Sequence, residues 1–476
     1  MNHNPNLYKK IVQYTRSDYY PFHMPGHKRQ SPYSLDLTEI EGFDNLHHAQ
    51  GVIAESMEWA ASLYGSHKTY YLVNGSSGGI LSAISGVLPD SSRILLARNC
   101  HKAAYHGVIL KQLDTEYVYP QFMEEYGIQC GLSPENIRDV LKDHRDIRGV
   151  FVVSPTYDGV VSDIKRISQI CHGFGIPLIV DEAHGAHFPY GELFPVSALE
   201  LGADVVIQSV HKTLPCFTQS ALLHIREGYV DRERIERYLQ IFQSSSPSYL
   251  LLAGIEQGIH WMVQEEGRAK MREFSEHLLK LRQELGTMKH LKILGREAVG
   301  IKDIYDIDLS KIIISTKASD ITGTQLYRRL REEYHLEMEM CTEDYVTAIT
   351  TVMDTEEGLR RLGEALTAID KTIESCKDSE KAEACYNPEE WKIKKVLPMS
   401  QAWNRSQIQA AWENSLGRIA AELVYVYPPG IPIVAPGEQI TESMVKTIMR
   451  YQDLGLSVEG MKDKSGRTIS VVAEGE

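Results

Sequence analysis

The feature that most constrains the fold is a series of short apolar runs separated by helical stretches. The runs are Thr69 to Val73, Arg93 to Ala97, Gly149 to Val153, Pro177 to Val180 and Asp204 to Gln208. Such short, almost continuously apolar runs indicate strands that are buried on both faces of a parallel sheet. Their alternation with helices predicts an α/β fold with a mostly parallel central sheet and right-handed crossovers.

Composition narrows the class of protein further. The chain has 476 residues, of which 43% are hydrophobic and 24% charged, and its formal net charge is −14. This apolar content is sufficient for a large core, and the acidic balance disfavours binding to nucleic acid. No apolar run approaches the length of a membrane helix, and the first 20 residues resemble no secretory signal. The seven cysteines are scattered without a Cys-x-x-Cys pair, so a reducing cytoplasm is expected.

The pattern along the chain predicts four parts. These are an N-terminal arm (1–50), a major domain (51–288), a small α+β domain (289–376), and a linker followed by a C-terminal domain (377–476). The helices predicted from periodicity are Gly51 to Tyr64, Ile80 to Val87, Gly323 to Tyr334 and Thr355 to Ser375, and Lys311 to Ser315 is a further predicted strand.

Polar and ionisable residues follow each predicted strand of the major domain. The segments are Asn74 to Gly79, Arg98 to Lys102, Ser154 to Gly159, Asp181 to His187 and Ser209 to Thr213. Ligands of α/β sheets bind at the carboxyl ends of the strands. We therefore expect these segments to form one site.

The residue types at the strand ends suit pyridoxal phosphate. Lys212 supplies an amine for a Schiff base with the aldehyde, and Asp181 supplies an anion for the pyridine nitrogen. His101 supplies a flat ring to cover one face of the cofactor. Ser76 and Ser77, in a Gly/Ser turn that leads into a helix, supply donors for the phosphate.

Each of these residues also has a structural interpretation. Taken singly, Asp181 is explained by a helix cap and Lys212 by a solvated surface position, and only their joint order favours a cofactor site. Asp181-Glu182-Ala183-His184 spells the DEAH string of helicases, but the chain lacks the Gly-Lys dipeptide of a phosphate loop. A metal site built from Asp181, His184 and His187 is disfavoured because no HExxH motif occurs, and no metal is expected.

Several longer strings resemble the Orn/Lys/Arg decarboxylase family, which uses pyridoxal phosphate on an aspartate-aminotransferase-like (type I) fold. The resemblance begins at Phe22-His23-Met24-Pro25-Gly26-His27-Lys28 and reaches Glu438. It runs through Asn74 to Gly78, Arg98 to Lys102, Pro155 to Tyr157, Val180 to Gly185, Ser209 to Pro215, Ser245 to Tyr249 and Tyr427 to Glu438. The chain is similar to the short form of the family, which includes bacterial biosynthetic arginine decarboxylases.

This resemblance implies a role for individual residues. Lys212 would carry the cofactor, Asp181 would pair with the pyridine nitrogen, and His184 or His211 would assist proton delivery to Cα. The remaining implied cofactor contacts are Ser76, Ser77, Gly78, His101, Thr156, Ala183, Ser209 and His211, with Ser245 and Ser246 reaching the phosphate of a neighbouring subunit. The last pair implies a homodimer or larger homo-oligomer with sites at the subunit interface.

The implied reaction is the α-decarboxylation of a basic amino acid. Arginine is the first expectation, followed by lysine and then ornithine. An acidic residue should meet the distal cation of the substrate, and the candidates are Glu41, Asp44, Asp158 and Glu438. The alternatives are an aminotransferase or lyase on the same fold and a catalytically silent paralogue that binds pyridoxal phosphate.

Overall fold

The computed structural model describes residues 6–375 and 393–473. The polar segment 376–390, predicted as a linker, lies outside these residues. The helices are α1 (Leu7–Thr15), α2 (Val52–Tyr64), α3 (Gly75–Val87), α4 (Lys102–Leu110), α5 (Pro134–Asp143), α6 (Ile164–Gly173), α7 (Val210–Thr213), α8 (Arg232–Phe242), α9 (Tyr249–Val263), α10 (Glu265–Leu285), α11 (Gly323–Tyr334), α12 (Glu356–Asp370), α13 (Met399–Asn404) and α14 (Glu442–Asp453).

The strands in chain order are β1 (Lys68–Leu72), β2 (Arg93–Ala97), β3 (Asp114–Val118), β4 (Phe122–Met123), β5 (Ile128–Gln129), β6 (Ile147–Val153), β7 (Val160–Val161), β8 (Leu178–Asp181), β9 (Val205–Gln208), β10 (Ala221–Ile225), β11 (Lys292–Ile293), β12 (Asp306–Ile307), β13 (Lys311–Ser315), β14 (Met340–Cys341), β15 (Tyr345–Ile349), β16 (Gln407–Ala411), β17 (Val424–Val426), β18 (Ile431–Val434), β19 (Val458–Glu459) and β20 (Thr468–Val472).

A seven-stranded sheet forms the centre of the major domain, in the order β1-β10-β9-β8-β6-β2-β3. The pairs from β9 to β3 are parallel, whereas β10 runs antiparallel to both of its neighbours. Its central strands are buried on both faces. The predicted α/β class with a mostly parallel sheet is therefore confirmed, and the carboxyl ends of β2, β6, β8 and β9 lie at one edge.

The predicted elements agree with the structure where periodicity is strong. Strands β2 and β13 and helix α11 have the predicted bounds. Helix α3 begins at Gly75 rather than Ile80, because Ser76 and Ser77 occupy its first turn, where Gly/Ser sequence is easily interpreted as a loop. Strand β10 was not predicted, although every one of its residues is buried.

Beyond the central sheet, a four-stranded sheet has the order β11-β13-β15-β14, and the arm and the C-terminal region have packing of their own. Helix α1 of the arm lies against α9, and the buried carboxylate of Glu256 accepts the Leu7 N–H at 3.1 Å. The C-terminal region has its own core, to which Trp412, Ile448 and Ile469 contribute. The predicted domain boundaries at 50, 288 and 376 stay predictions. In the described part of the chain, no helix combines the length and apolarity that crossing a membrane would require.

Candidate functional site

Lys212 lies in the short helix α7, directly after the carboxyl end of β9. Its Nζ is 2.9 Å from Nε2 of His184, which follows β8. Burial lowers the pKa of Lys212, while the carboxylates of Asp181 and Glu339 act in the opposite direction. Burial also holds the pKa of His184 well below its usual value, and the Lys212 cation adds to this effect. The lowered pKa makes the Lys212 amine easier to deprotonate and so more nucleophilic, and the imidazole beside it is neutral.

Asp181 is the last residue of β8 and is only 4% exposed. Its Oδ1 accepts the N–H of Ala183 at 3.1 Å. Burial raises the pKa of Asp181, and the nearby Lys212 cation partly opposes that rise. A cationic heteroaromatic nitrogen that faces this carboxylate would supply the charge partner that a buried anion needs.

The N-terminus of α3 forms a cradle of donors at the end of β1. Ser76 and Ser77 lie in its first turn, and Ser76 Oγ is 2.6 Å from Oγ of Ser209. The first backbone N–H groups of a helix lack partners within it, so together with these hydroxyls they suit a phosphate. His211 Nδ1 is 2.8 Å from the Ser220 carbonyl oxygen, so Nδ1 is the protonated nitrogen and Nε2 is left to accept.

His101 follows β2 and begins α4, where its Nδ1 accepts the Ala103 N–H at 3.2 Å. Burial lowers the pKa of His101 to about 3, with Lys212 adding to the shift, so the ring is neutral. Gly430 packs against the same ring: it has φ +84°, and an added Cβ would lie 3.2 Å from Cδ2 of His101. The ring is thus held between the major domain and a loop that precedes β18.

A cavity of about 270 Å³ brings together most of the residues predicted from the strand ends. Those that line it are Ser76, Ser77, His101, Asp181, Ala183, His184, Ser209, His211 and Lys212. Gly78 and Thr156 do not line it. Gly78 lies one turn into α3. The Thr156 hydroxyl accepts the Val160 N–H at 3.1 Å, and Thr156 lines a second, adjacent cavity instead.

The residues expected to contact a neighbouring subunit lie elsewhere. Ser245 and Ser246 are exposed and line no part of this cavity in their own chain. The two histidines weighed as metal ligands, His184 and His187, face different partners: His187 Nε2 is 3.2 Å from Asp308 Oδ1. Their arrangement therefore does not converge on one ion.

The four acidic candidates for substrate binding have different surroundings. Asp44 caps α2, because its carboxylate accepts backbone N–H groups that include those of Gly51 at 2.8 Å and Ile53 at 3.0 Å. Glu438 is buried, and its Oε2 lies 3.3 Å from the Arg98 guanidinium. Glu41 is exposed and lines neither cavity. Asp158 lines the neighbouring cavity.

The structure adds cavity residues to which the sequence assigned no role. The Tyr157 ring meets His184 edge-on, with centroids 4.7 Å apart, and its hydroxyl donates to the Glu339 carboxylate. Glu339 lies just before β14, and the segment Tyr427 to Ile431 closes the cavity from the C-terminal region. Tyr157 stood inside a recognised motif, but no local pattern marks Glu339.

Two family models match the chain. The Orn/Lys/Arg decarboxylase major domain matches residues 5–313, and the C-terminal domain of the same family matches residues 394–460. Arginine decarboxylase of Bacillus subtilis is 33% identical, over 99% of this chain and 98% of its own length. Lysine decarboxylase LdcA of Pseudomonas aeruginosa is 23% identical, over 96% of this chain and 76% of its own length.

Solved structures show the same fold. The constitutive lysine decarboxylase of E. coli superposes with a TM-score of 0.82 at 19% identity, covering 99% of this chain and 82% of its own. Serine palmitoyltransferase of Sphingomonas wittichii superposes with a TM-score of 0.55 at 14% identity, covering 70% of this chain and 82% of its own. At these identities the likeness concerns the fold alone.

Proposed function

Because the chain belongs to the Orn/Lys/Arg decarboxylase family, we propose that it converts L-arginine to agmatine and CO₂ with pyridoxal phosphate bound at Lys212. The observation that carries the proposal is the cavity in which Lys212 and Asp181 face the serine cradle. An amine, a buried carboxylate and phosphate donors match the three functional ends of this cofactor. The arginine decarboxylases of Bacillus, similar to this chain over nearly its full length, support arginine as the substrate.

The residues present fit the cofactor. Lys212 would hold its aldehyde carbon, Asp181 its ring nitrogen, and Ser76 with Ser209 its phosphate. His101 and Ala183 would flank the ring from opposite sides. When bound, the cofactor withdraws electrons from Cα of the substrate, so that the bond to the carboxylate carbon breaks heterolytically.

Loss of CO₂ leaves Cα in need of a proton. The Lys212 ammonium is the donor within reach of a substrate held at its own site, and His184 Nε2 is 2.9 Å from this amine. Nε2 of His184 can therefore accept a hydrogen bond from the Lys212 ammonium and hold it toward Cα, whereas His211 commits its Nδ1–H to Ser220. We assign proton delivery to Lys212, with His184 as its positioning partner.

The experiment is a substrate panel on the purified enzyme loaded with pyridoxal phosphate. Arginine, lysine and ornithine are supplied separately, with CO₂ release and amine product as readouts. We expect agmatine from arginine at the highest kcat/KM. If amine forms from lysine or ornithine but not from arginine, that amino acid and not arginine is the substrate. Formation of a keto acid without amine would refute decarboxylation.

Variants test the assignment of the site. Lys212→Ala should abolish the long-wavelength cofactor absorbance and turnover, whereas Lys289→Ala, at an exposed lysine, should preserve both. Asp181→Asn should retain part of the cofactor and lose most of the activity, because the neutral amide no longer favours a protonated ring nitrogen. Wild-type turnover by Lys212→Ala would overturn the proposed site.

We also propose a homodimer or larger homo-oligomer in the cytoplasm. The arm exposes several large apolar side chains, among them Tyr19, Tyr20, Phe22 and Met24, and Phe22 is 89% exposed. Such a patch suits burial against a second subunit. Ser245 and Ser246 are exposed and so are available to a neighbouring site. Light scattering coupled to gel filtration measures the oligomer, and a monomer that is fully active would refute it.

A further inference from the structure

A second cavity of about 130 Å³ adjoins the proposed cofactor cavity. Residues from three distant parts of the chain line it, because the loop after β6, strand β14 and the segment before β18 meet there. Six residues line both cavities, namely Asn99, Val153, Tyr157, Pro428, Pro429 and Ile431. The second cavity therefore directly adjoins the space around Lys212, and these six residues lie at the boundary that the two cavities share.

Asp158 is the distinctive group of the second cavity. It is 7% exposed, and its Oδ1 has no hydrogen-bond partner in the described part of the chain. Tyr345, which also lines this cavity, is hydrogen-bonded to its carboxyl, and burial raises the pKa of Asp158 to about 6. Burying an ionised carboxylate without a counter-charge costs free energy, so binding of a cation next to Asp158 would be favourable.

The other carboxylates of this cavity already have cationic partners. Glu343 pairs with Arg450, and Asp344 lies 3.5 Å from Lys317. Asp158 takes part in no ion pair between the described residues 6–375 and 393–473. The charge on Asp158 is therefore available to a ligand, whereas those on Glu343 and Asp344 are engaged.

We propose that the second cavity is the specificity pocket and that Asp158 binds the cationic end of the substrate side chain. This inference rests on the proposed function. It selects one of four acidic candidates, because Asp44 caps a helix, Glu438 pairs with Arg98, and Glu41 lies outside both cavities. A guanidinium presents several coplanar N–H donors, and a charge-assisted hydrogen bond to Oδ1 would satisfy the carboxylate.

The test compares Asp158→Asn with the wild-type enzyme. Asparagine keeps the size of the side chain and an acceptor for Tyr345 but removes the charge. The matched control is Asp354→Asn, the same chemical change at a partly buried carboxylate outside both cavities, whose pKa burial also raises. Cofactor absorbance verifies that each variant binds pyridoxal phosphate.

Two readouts are measured, namely steady-state kinetics with arginine and calorimetric binding of agmatine to the loaded enzyme. We expect Asp158→Asn to raise KM for arginine and weaken agmatine by about 10- to 100-fold, the loss of a hydrogen bond to a charged group, with a much smaller change in kcat. Discrimination against citrulline, the neutral analogue of arginine, should narrow by the same factor. Asp354→Asn should behave as wild type.

The outcomes separate this inference from the proposed function. Agmatine binding by Asp158→Asn at wild-type affinity would overturn the role of Asp158, whatever the substrate panel shows. Wild-type enzyme that releases no CO₂ from arginine, lysine or ornithine would overturn the proposed function. Loss of agmatine binding in Asp158→Asn would even then support a cation pocket at this carboxylate.

Discussion

The buried pair of Arg98 and Glu438 joins the major domain to the C-terminal domain. Arg98 follows β2 and is 3% exposed, and Glu438 is 1% exposed. Besides the carboxylate at 3.3 Å, the guanidinium donates to the carbonyl oxygens of Pro432 at 2.6 Å and Ile433 at 3.0 Å. Glu438 also accepts the Ala435 N–H at 2.8 Å. This pair therefore anchors β18, whose preceding loop closes the cofactor cavity.

Replacing Arg98 by Met removes the cation and leaves the carboxylate buried. Breaking a buried pair from one side costs about 3–5 kcal/mol, because the remaining charge has no compensation. Adding Glu438→Gln removes that charge and keeps an acceptor for the Ala435 N–H. We therefore expect the double variant to recover about 1.5 kcal/mol or more of the loss, despite carrying two changes.

Amide hydrogen exchange of β17 and β18 measures the opening free energy where the pair acts. The double-mutant cycle requires the wild type, Arg98→Met, Glu438→Gln and the combined variant. Equal destabilisation by Arg98→Met with and without Glu438→Gln would refute the coupling. If Glu438→Gln selectively raises KM for cationic substrates and leaves amide hydrogen exchange unchanged, Glu438 binds substrate and does not anchor β18.

Three further predictions concern single residues. Burial lowers the pKa of His224 to about 3, below the 6.5 of an unfolded histidine, so its contribution to stability is complete above pH 6.5 and falls as the pH drops toward 3. We expect the free energy of unfolding to fall by about 2 kcal/mol between pH 6.5 and 5. Urea titrations at both pH values measure this, and the same loss in His224→Gln would contradict it. Asp44→Ala should cost about 1–2 kcal/mol in thermal unfolding because α2 loses its cap, and an unchanged melting temperature would refute that role. Gly430→Ala should weaken cofactor binding about fivefold or more, because a residue with a Cβ is strained at φ +84° and this Cβ would lie only 3.2 Å from Cδ2 of His101. An absorbance titration measures the affinity, and wild-type affinity would contradict this prediction.

The strand-end residues could be identified from the sequence because the information about them is local. Lys212, Asp181 and His101 each closely follow a short apolar run, and the carboxyl ends of parallel strands meet at one edge of the sheet. The order of these residue types along the chain is sufficient to predict a shared site and its cofactor. The α/β class follows from the same alternation of strands and helices.

The acidic residues show where local information ends. The sequence alone does not distinguish the roles of Asp44, Asp158 and Glu438, since any carboxylate can cap a helix, pair with arginine or bind a ligand. Which role each one plays depends on neighbours that are distant in sequence: Arg98 precedes Glu438 by 340 positions. Only packing decides that Asp44 caps a helix and Glu438 pairs with Arg98, whereas Asp158 lines a cavity and has no ion-pair partner among the described residues.

By itself, then, the sequence determined the sheet and the family, and it predicted which polar residues gather at the edge of the sheet. The tertiary structure alone decided what closes the cavity, because Glu339 and Gly430 are distant from Lys212 in sequence and no spacing rule connects them to it. It also decided which carboxylate is left for a cation. The physical reason is that backbone hydrogen bonding within one sheet places the strand ends. Contacts between distant parts of the chain depend instead on the shapes and charges of surfaces that meet only after those parts have folded.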